Sequence, residues 1–151
     1  MKFNKLEIRL GKSSDLEDVF RLVKDLAVYE KSENEVETTL NTYQTEFKNG
    51  TFRILLAEAD QQIVGMMLFY DAFSTWKGKM MWLEDFVVLE KLRQSGIGLA
   101  LFNHLVQIGK TEGYALIKWE VLDWNTPAIN FYKKVGARLE TNWWDGKYFL
   151  N

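Results

Sequence analysis

The chain of 151 residues has the usual length of one domain, so we predict a single domain over residues 1–151. It contains no cysteine and only one histidine, His104, which excludes disulfides, thiolate-bound metals and cysteine nucleophiles, and we predict no metal site. The net charge of −2 argues against nucleic-acid binding, and the longest apolar run, residues 63–70, is too short to span a membrane. We therefore expect a cytoplasmic protein that binds no nucleic acid and no membrane.

The chain begins with a half-buried strand, because Leu6, Ile8 and Leu10 alternate with polar residues. Two segments with apolar residues at helical spacing follow. After them come three strand-like runs rich in β-branched and aromatic residues, and then a helix, a strand and another helix. This last helix has a clear start, since Asn125 is a favourable N-cap and Pro127 is tolerated in the first turn. The predicted elements are strand 6–10, helices 15–30 and 38–48, strands 52–59, 63–73 and 79–89, helix 96–111, strand 114–122, helix 125–136, and one or two strands within 138–150.

This element order, β-α-α-β-β-β-α-β-α-β, predicts the α/β (α+β) class with a mixed central sheet flanked by helices. The three consecutive strands should form a meander, since the connections at residues 60–62 and 74–78 are short. The β-α-β segment that follows should form a right-handed crossover.

A Gly-rich turn, L-R-Q-S-G-I-G-L-A at residues 92–100, joins a predicted strand to a predicted helix. Two glycines allow the backbone to approach a ligand closely, and free N–H groups at the helix start favour a phosphate or pyrophosphate, with Arg93 as an added cation. The segment is not a Walker A loop, which requires G-x-x-x-x-G-K-[ST]. It is not a dinucleotide fingerprint either, because Leu101 occupies the position of the third glycine.

The segment R-Q-S-G-I-G, residues 93–98, resembles the acetyl-CoA pyrophosphate loop of the GNAT superfamily of N-acetyltransferases, and the predicted element order is the order of that superfamily. Further motifs resemble the spermidine/spermine (diamine) N-acetyltransferases and occur in the same order as in that branch. They are L-A-x-Y-E (26–30), W-x-G-K (76–79), L-E-D-F-x-V (83–88), R-x-x-G-I-G (93–98) and W-N-x-P-x-I-N-F-Y-K (124–133).

The resemblance implies acetyl-CoA as co-substrate and assigns its contacts along the chain. The backbone after L-E-D would hold the pantetheine arm, and the Gly-rich turn would hold the pyrophosphate beside Arg93. Two further cofactor contacts are implied at the start of the helix predicted over residues 125–136. The implied contacts are Phe86, Val87 and Val88 for pantetheine, Arg93, Gln94, Ser95, Gly96, Ile97, Gly98 and Leu99 for pyrophosphate, and Asn125 and Ala128.

The resemblance also implies the catalytic residues. Tyr132 matches the general acid that protonates the leaving CoA thiolate, and Glu84 matches a carboxylate that helps to remove the amine proton, directly or through water. Such a group is needed because deprotonating an alkylamine of pKa ~10.4 at neutral pH costs ~4.6 kcal/mol. Glu84 and Asp85 are neighbours in a predicted strand, so we expect them to face opposite ways and at most one to enter the cleft.

The implied substrate contacts are Tyr29, Glu30, Trp76, Glu84 and Asp85, although Trp76 at a turn edge and Tyr29 at a helix end could equally have a packing or surface role. Ser74 and Thr75 stand where many polyamine-acetylating relatives have Asp-Pro, which favours a small primary amine over a long polyamine. By the same resemblance, the protein is expected to be a homodimer. Alternatives are a GNAT that acetylates a protein or peptide amine, a non-catalytic acyl-CoA-binding module, and an aromatic-rich binder of single-stranded nucleic acid.

Overall fold

The strands and helices follow the predicted order up to the last helix. The computed structural model describes residues 3–150, so residues 1, 2 and 151 of the predicted domain lie outside it. No helix within this range is long and apolar enough to cross a membrane. The described residues form strands β1 Leu6–Leu10, β2 Arg53–Ala59, β3 Gln62–Ser74, β4 Gly78–Val88 and β5 Leu116–Lys118, and helices α1 Leu16–Tyr29, α2 Leu40–Lys48, α3 Ile97–Thr111 and α4 Thr126–Lys134.

The strands form one sheet in the order β1-β2-β3-β4-β5. Neighbouring strands from β1 to β4 pair antiparallel, which confirms the predicted meander. β4 and β5 are connected by α3 and pair in parallel, which confirms the predicted crossover connection. The mixed sheet flanked by helices is therefore the predicted fold class.

The end of the chain differs from the prediction. Strand 114–122 is reduced to the three residues of β5, and the strands predicted within 138–150 are wrong because none of these residues belongs to a strand or helix. Aromatic residues favour strands only where they can pack against a neighbour. Trp144 is 98% exposed and Tyr148 is 90% exposed, so the described chain offers these side chains no packing surface.

The chain divides into two compact units between Trp119 and Glu120. The first unit contains the sheet with α1, α2 and α3, and the second contains α4 and the segment that follows it. A single domain over the whole chain stays a prediction.

α1 and α3 pack on opposite faces of the sheet. On the α3 face, a Cβ atom at Gly65 would lie 3.3 Å from Leu101 Cδ1 of α3, so the absence of a side chain there permits close packing. Because side chains alternate along a strand, Met66 and Leu68 point to the other face. That face meets α1 in a buried cluster of Leu16, Val19, Leu22, Ile54, Leu56, Met66, Leu68 and Val87.

A charged cluster connects the start of α1 to the edge of the sheet. Arg9 of β1 donates through Nε to Glu58 Oε2 at 2.8 Å, and through Nη1 and Nη2 to the two carboxylate oxygens of Asp15 at 2.8 and 2.9 Å. The Asp15 carboxylate also accepts the backbone N–H of Lys12 at 2.7 Å. Hydrogen bonding to Arg9 holds the pKa of the Asp15 carboxyl below its usual range, even though burial opposes this shift.

Replacing Arg9 by leucine should lower the free energy of unfolding by about 2–4 kcal/mol, because two partly buried carboxylates would lose their common partner. Urea unfolding at neutral pH measures this loss. Arg21→Leu is the matched control, because Arg21 pairs with Asp18 and Asp25 at an exposed position, where such pairs contribute less than about 1 kcal/mol. Equal losses in the two variants would show that the Arg9 cluster is not a stability determinant.

Candidate active site

β4 continues beyond the strand that follows it in the sheet. β5 pairs with β4 only at Met80, Met81 and Trp82, and within the described residues their ladder ends there. Residues 83–88 of β4 extend past the end of β5. An extended ligand with amide groups can hydrogen-bond along such a strand edge. The predicted pantetheine contacts, Phe86, Val87 and Val88, lie on this stretch.

The Gly-rich turn leads from β4 into α3. Gly96 is the N-cap of α3 and has a φ of +90°, a left-handed conformation that glycine adopts without strain, and Gln94 has a φ of +64°. The first N–H groups of α3 have no carbonyl partner within the helix, and the helix dipole favours an anion beside them. The predicted pyrophosphate contacts Gln94, Ser95, Gly96, Ile97, Gly98 and Leu99 span this turn and the first residues of α3.

Arg93 connects the Gly-rich turn to two other elements. Its Nε donates to the carbonyl oxygen of Val88 at 3.3 Å. Its guanidinium carbon lies 4.3 Å from the centre of the Tyr29 ring, which is a cation–π distance. The structure thus brings Tyr29, predicted as a substrate contact, against the predicted cofactor turn.

A β-bulge places Glu84 and Asp85 differently from the prediction. The register of β3 and β4 shifts between the pairs Leu68–Asp85 and Phe69–Leu83, so Glu84 is the extra residue. Asp85 therefore shares the face of Leu68, which is the face that packs against α1.

Glu84 reaches the same face. Its Oε2 accepts the indole N–H of Trp82 at 2.8 Å and the hydroxyl of Tyr70 at 3.2 Å, and Tyr70 lies on the Leu68 face by strand alternation. The expectation that the two carboxylates face opposite ways is therefore wrong, because the extra residue of the bulge interrupts the alternation. Sequence reasoning missed the hydrogen bonds from Tyr70 and Trp82 to Glu84, whose only signal is that Trp82 and Glu84 stand two residues apart in a strand.

Glu30, Glu84 and Asp85 form an acidic cluster. Burial raises the pKa of Asp85 to about 7, and the negative charges of Glu84 and Glu30 add to this effect. Burial also raises the pKa of Glu30, the residue that follows the last turn of α1. Carboxylates that repel one another in a partly buried site are stabilised by a cationic ligand, which would restore their charged forms.

Trp76 lies away from the acidic cluster. It sits in the turn between β3 and β4 and is 84% exposed. The pair Ser74–Gly78 closes this hairpin, and Asp85 of the acidic cluster pairs with Leu68. Ser74 and Leu68 are six residues apart on β3, so the hairpin turn lies about 20 Å along the strand from the acidic cluster. Ser74 Oγ accepts the backbone N–H groups of Trp76 and Lys77 at 3.3 and 3.1 Å, so it orders the turn.

In the second unit, α4 begins as the sequence predicts. Asn125 is its N-cap, and the Asn125 side-chain oxygen accepts the backbone N–H of Ala128 at 3.3 Å. Tyr132 lies in the following turn and is 6% exposed, with its ring centre 5.6 Å from that of Phe131. The predicted general acid is therefore a buried side chain of α4.

The chain belongs to the Acetyltransferase (GNAT) family, whose model matches residues 16–137. Thialysine N-epsilon-acetyltransferase of Mus musculus is 32% identical over 141 residues, covering 87% of this chain and 83% of that protein. Spermidine/spermine N(1)-acetyltransferase-like protein 1 of Homo sapiens is 31% identical over 140 residues, covering 87% of this chain and 20% of that protein. The structure of an aminoglycoside acetyltransferase from a soil metagenomic sample shares the fold, with a TM-score of 0.83, 19% identity and 98% coverage of both chains.

The protein is therefore an N-acetyltransferase that uses acetyl-CoA as its co-substrate. Its curated relatives support the diamine acetyltransferase branch, which confirms the resemblance found in the motifs.

Proposed function

We propose that this enzyme transfers the acetyl group of acetyl-CoA to a small cationic primary amine of the diamine, polyamine or thialysine type. The acidic cluster of Glu30, Glu84 and Asp85 carries the proposal, because Glu84 and Asp85 lie on β4 beside the residues proposed to hold pantetheine. An amine with a second positive charge would offset the repulsion within the cluster while its other nitrogen reacts. Relatives named for thialysine and for spermidine/spermine support the same class of acceptor.

The cofactor contacts proposed from the motifs follow one path along the chain. The amides of pantetheine bind along Phe86, Val87 and Val88, and the pyrophosphate binds the N-terminus of α3 beside Arg93. The backbone N–H near Val87 polarises the thioester carbonyl, which stabilises the negative charge on its oxygen during attack. The motifs also assign Asn125 and Ala128, at the start of α4, to cofactor binding.

The amine loses a proton before its nitrogen attacks the thioester carbonyl. We assign this proton to the pair Glu84 and Asp85, because the pKa of about 7 of Asp85 lies closer to that of an alkylamine than the ordinary pKa of an aspartate does. Glu84 lies beside Asp85 and accepts hydrogen bonds from Trp82 and Tyr70. The new C–N bond then forms, the C–S bond breaks, and Tyr132 donates its proton to the CoA thiolate.

Steady-state release of CoA tests the proposal directly. Acetyl-CoA should be supplied with a diamine, a polyamine, thialysine and a peptide with a free N-terminus, and the acetylated products identified by mass spectrometry. We expect turnover with the small cationic amines. Turnover of the peptide alone would favour the protein-amine alternative, and cofactor binding without any turnover would favour the non-catalytic module.

We also propose a homodimer. Its support is the segment after α4, in which large apolar side chains are 70–98% exposed: Trp143, Trp144, Tyr148, Phe149 and Leu150. Exposed apolar surface of this kind is typical of protein–protein interfaces. Sedimentation velocity should give a dimer for the wild type and a monomer for Trp143→Ser/Trp144→Ser. A monomeric wild type would contradict the proposal, and a cytoplasmic location stays a prediction from composition.

A further inference from the structure

We propose that Tyr29 positions Arg93 for the phosphates of acetyl-CoA. The resemblance implies that Tyr29 contacts the substrate, but its ring centre lies 4.3 Å from the guanidinium carbon of Arg93. The inference uses the acetyl-CoA part of the proposed site and is independent of which amine is acetylated.

Tyr29 has a fixed location because the end of α1 is well ordered by backbone hydrogen bonds. The N–H of Lys31 donates to Val28 at 3.1 Å and the N–H of Ser32 donates to Ala27 at 2.8 Å, and Lys31 takes a left-handed φ of +59°. Ala27 and Leu22 anchor this part of the helix in the core. The half-buried Tyr29 ring is therefore a firm surface at the end of a packed helix.

A cation–π contact with Tyr29 is compatible with phosphate binding by Arg93. The guanidinium carbon lies over the Tyr29 ring, and this cation–π contact uses none of the N–H groups through which arginine donates hydrogen bonds. Nε is directed to Val88, which leaves the two Nη groups of Arg93 for phosphate oxygens. Tyr29 and Val88 together restrict a long, exposed side chain, so less conformational entropy is lost when the cofactor binds.

The end of α1 thus serves two parts of the site through consecutive residues. Tyr29 contacts the arginine of the cofactor turn, while Glu30 acts on Asp85 in the acidic cluster. Successive helix residues point about 100° apart, so one helix end can reach both parts.

The test compares Tyr29→Leu, which removes the ring, with Tyr29→Phe, which retains it. Titration calorimetry with CoA as the probe should show affinity that is about two- to fivefold weaker for Tyr29→Leu, the loss expected for a cation–π contact, and nearly unchanged for Tyr29→Phe. The loss should disappear when Tyr29→Leu is combined with Arg93→Ala, because the ring then has no guanidinium to hold. In steady state, the KM for acetyl-CoA should rise more than the KM for the amine.

Three results would overturn the inference: unchanged CoA affinity in Tyr29→Leu, the same loss with and without Arg93, or a rise confined to the KM for the amine. The last result would restore Tyr29 to the amine site. If instead the proposed function were wrong, the wild type would bind CoA but acetylate no small amine. The calorimetric comparison of the Tyr29 variants would still decide the role of Tyr29.

Discussion

Replacing Tyr132 by phenylalanine should lower kcat about a hundredfold or more, while the KM for acetyl-CoA changes by less than about twofold. The substitution removes only the hydroxyl, so the buried ring retains its packing in α4. Without a proton donor, the CoA thiolate must leave as an anion. Proton transfer from a tyrosine of pKa ~10 to a thiolate of pKa ~8.5 is uphill by about 2 kcal/mol, so the transfer should occur late in the departure of the thiolate.

A pH series separates this chemical role from a structural one. Because a tyrosine can donate a proton only below its reference pKa of ~10, the deficit of Tyr132→Phe should be constant near neutral pH and shrink as the pH approaches about 10. Tyr148→Phe is the matched control, because Tyr148 is 90% exposed, and it should leave kcat unchanged. A deficit that is the same at every pH, or a kcat like that of the wild type, would contradict the assignment of Tyr132 as general acid.

Replacing Asp85 by asparagine should stabilise the protein at neutral pH and impair catalysis. Because the folded state raises the pKa of Asp85 to about 7, the unfolded chain loses this proton near pH 4 while the folded chain keeps it. Between about pH 4 and pH 7 the ionisation of Asp85 therefore lowers the stability of the wild type, and asparagine avoids this loss. The difference in pKa corresponds to on the order of 4 kcal/mol, and solvent screening of the half-buried group reduces our expectation to about 2 kcal/mol.

Urea unfolding should show a stability gain for Asp85→Asn that is small near pH 4 and complete above about pH 7. The same variant should lose about a hundredfold in kcat/KM for the amine, since it cannot accept a proton. Asp25→Asn, at an exposed position on α1, should change stability by less than about 0.5 kcal/mol and leave activity intact. A destabilised Asp85→Asn, or one with full activity, would contradict the role of the acidic cluster.

The regular elements could be predicted from the sequence because their signals are local. The alternation of Leu6, Ile8 and Leu10 predicts β1 with its observed bounds, and Asn125 with Pro127 predicts the start of α4. The last strands could not be predicted correctly, because a strand needs a partner and the aromatic pattern of residues 138–150 does not say whether one is present.

The arrangement of the site depends on contacts between distant parts of the chain. The bulge at Glu84 depends on the register between β3 and β4, which the sequence does not reveal. It places the carboxylates of Glu84 and Asp85 on the same face of the sheet, whereas strand alternation predicts that they lie on opposite faces. The cation–π contact of Arg93 with Tyr29 joins residues 64 positions apart, which periodicity cannot detect. The motif resemblance supplied the residue types of the site, and the fold determined which of them act on one another.

The most direct test of the proposed function compares two acceptors in the wild-type enzyme. kcat/KM should be measured with acetyl-CoA for a diamine and for a monoamine of the same chain length that lacks the second ammonium group. Because the second charge pairs with Glu30 while Glu84 and Asp85 take the proton of the reacting nitrogen, the diamine should be preferred by about tenfold or more, and Glu30→Gln should reduce this preference. Equal specificity constants for the two amines, or a preference for the monoamine, would contradict acetylation of a small cationic amine at the acidic cluster.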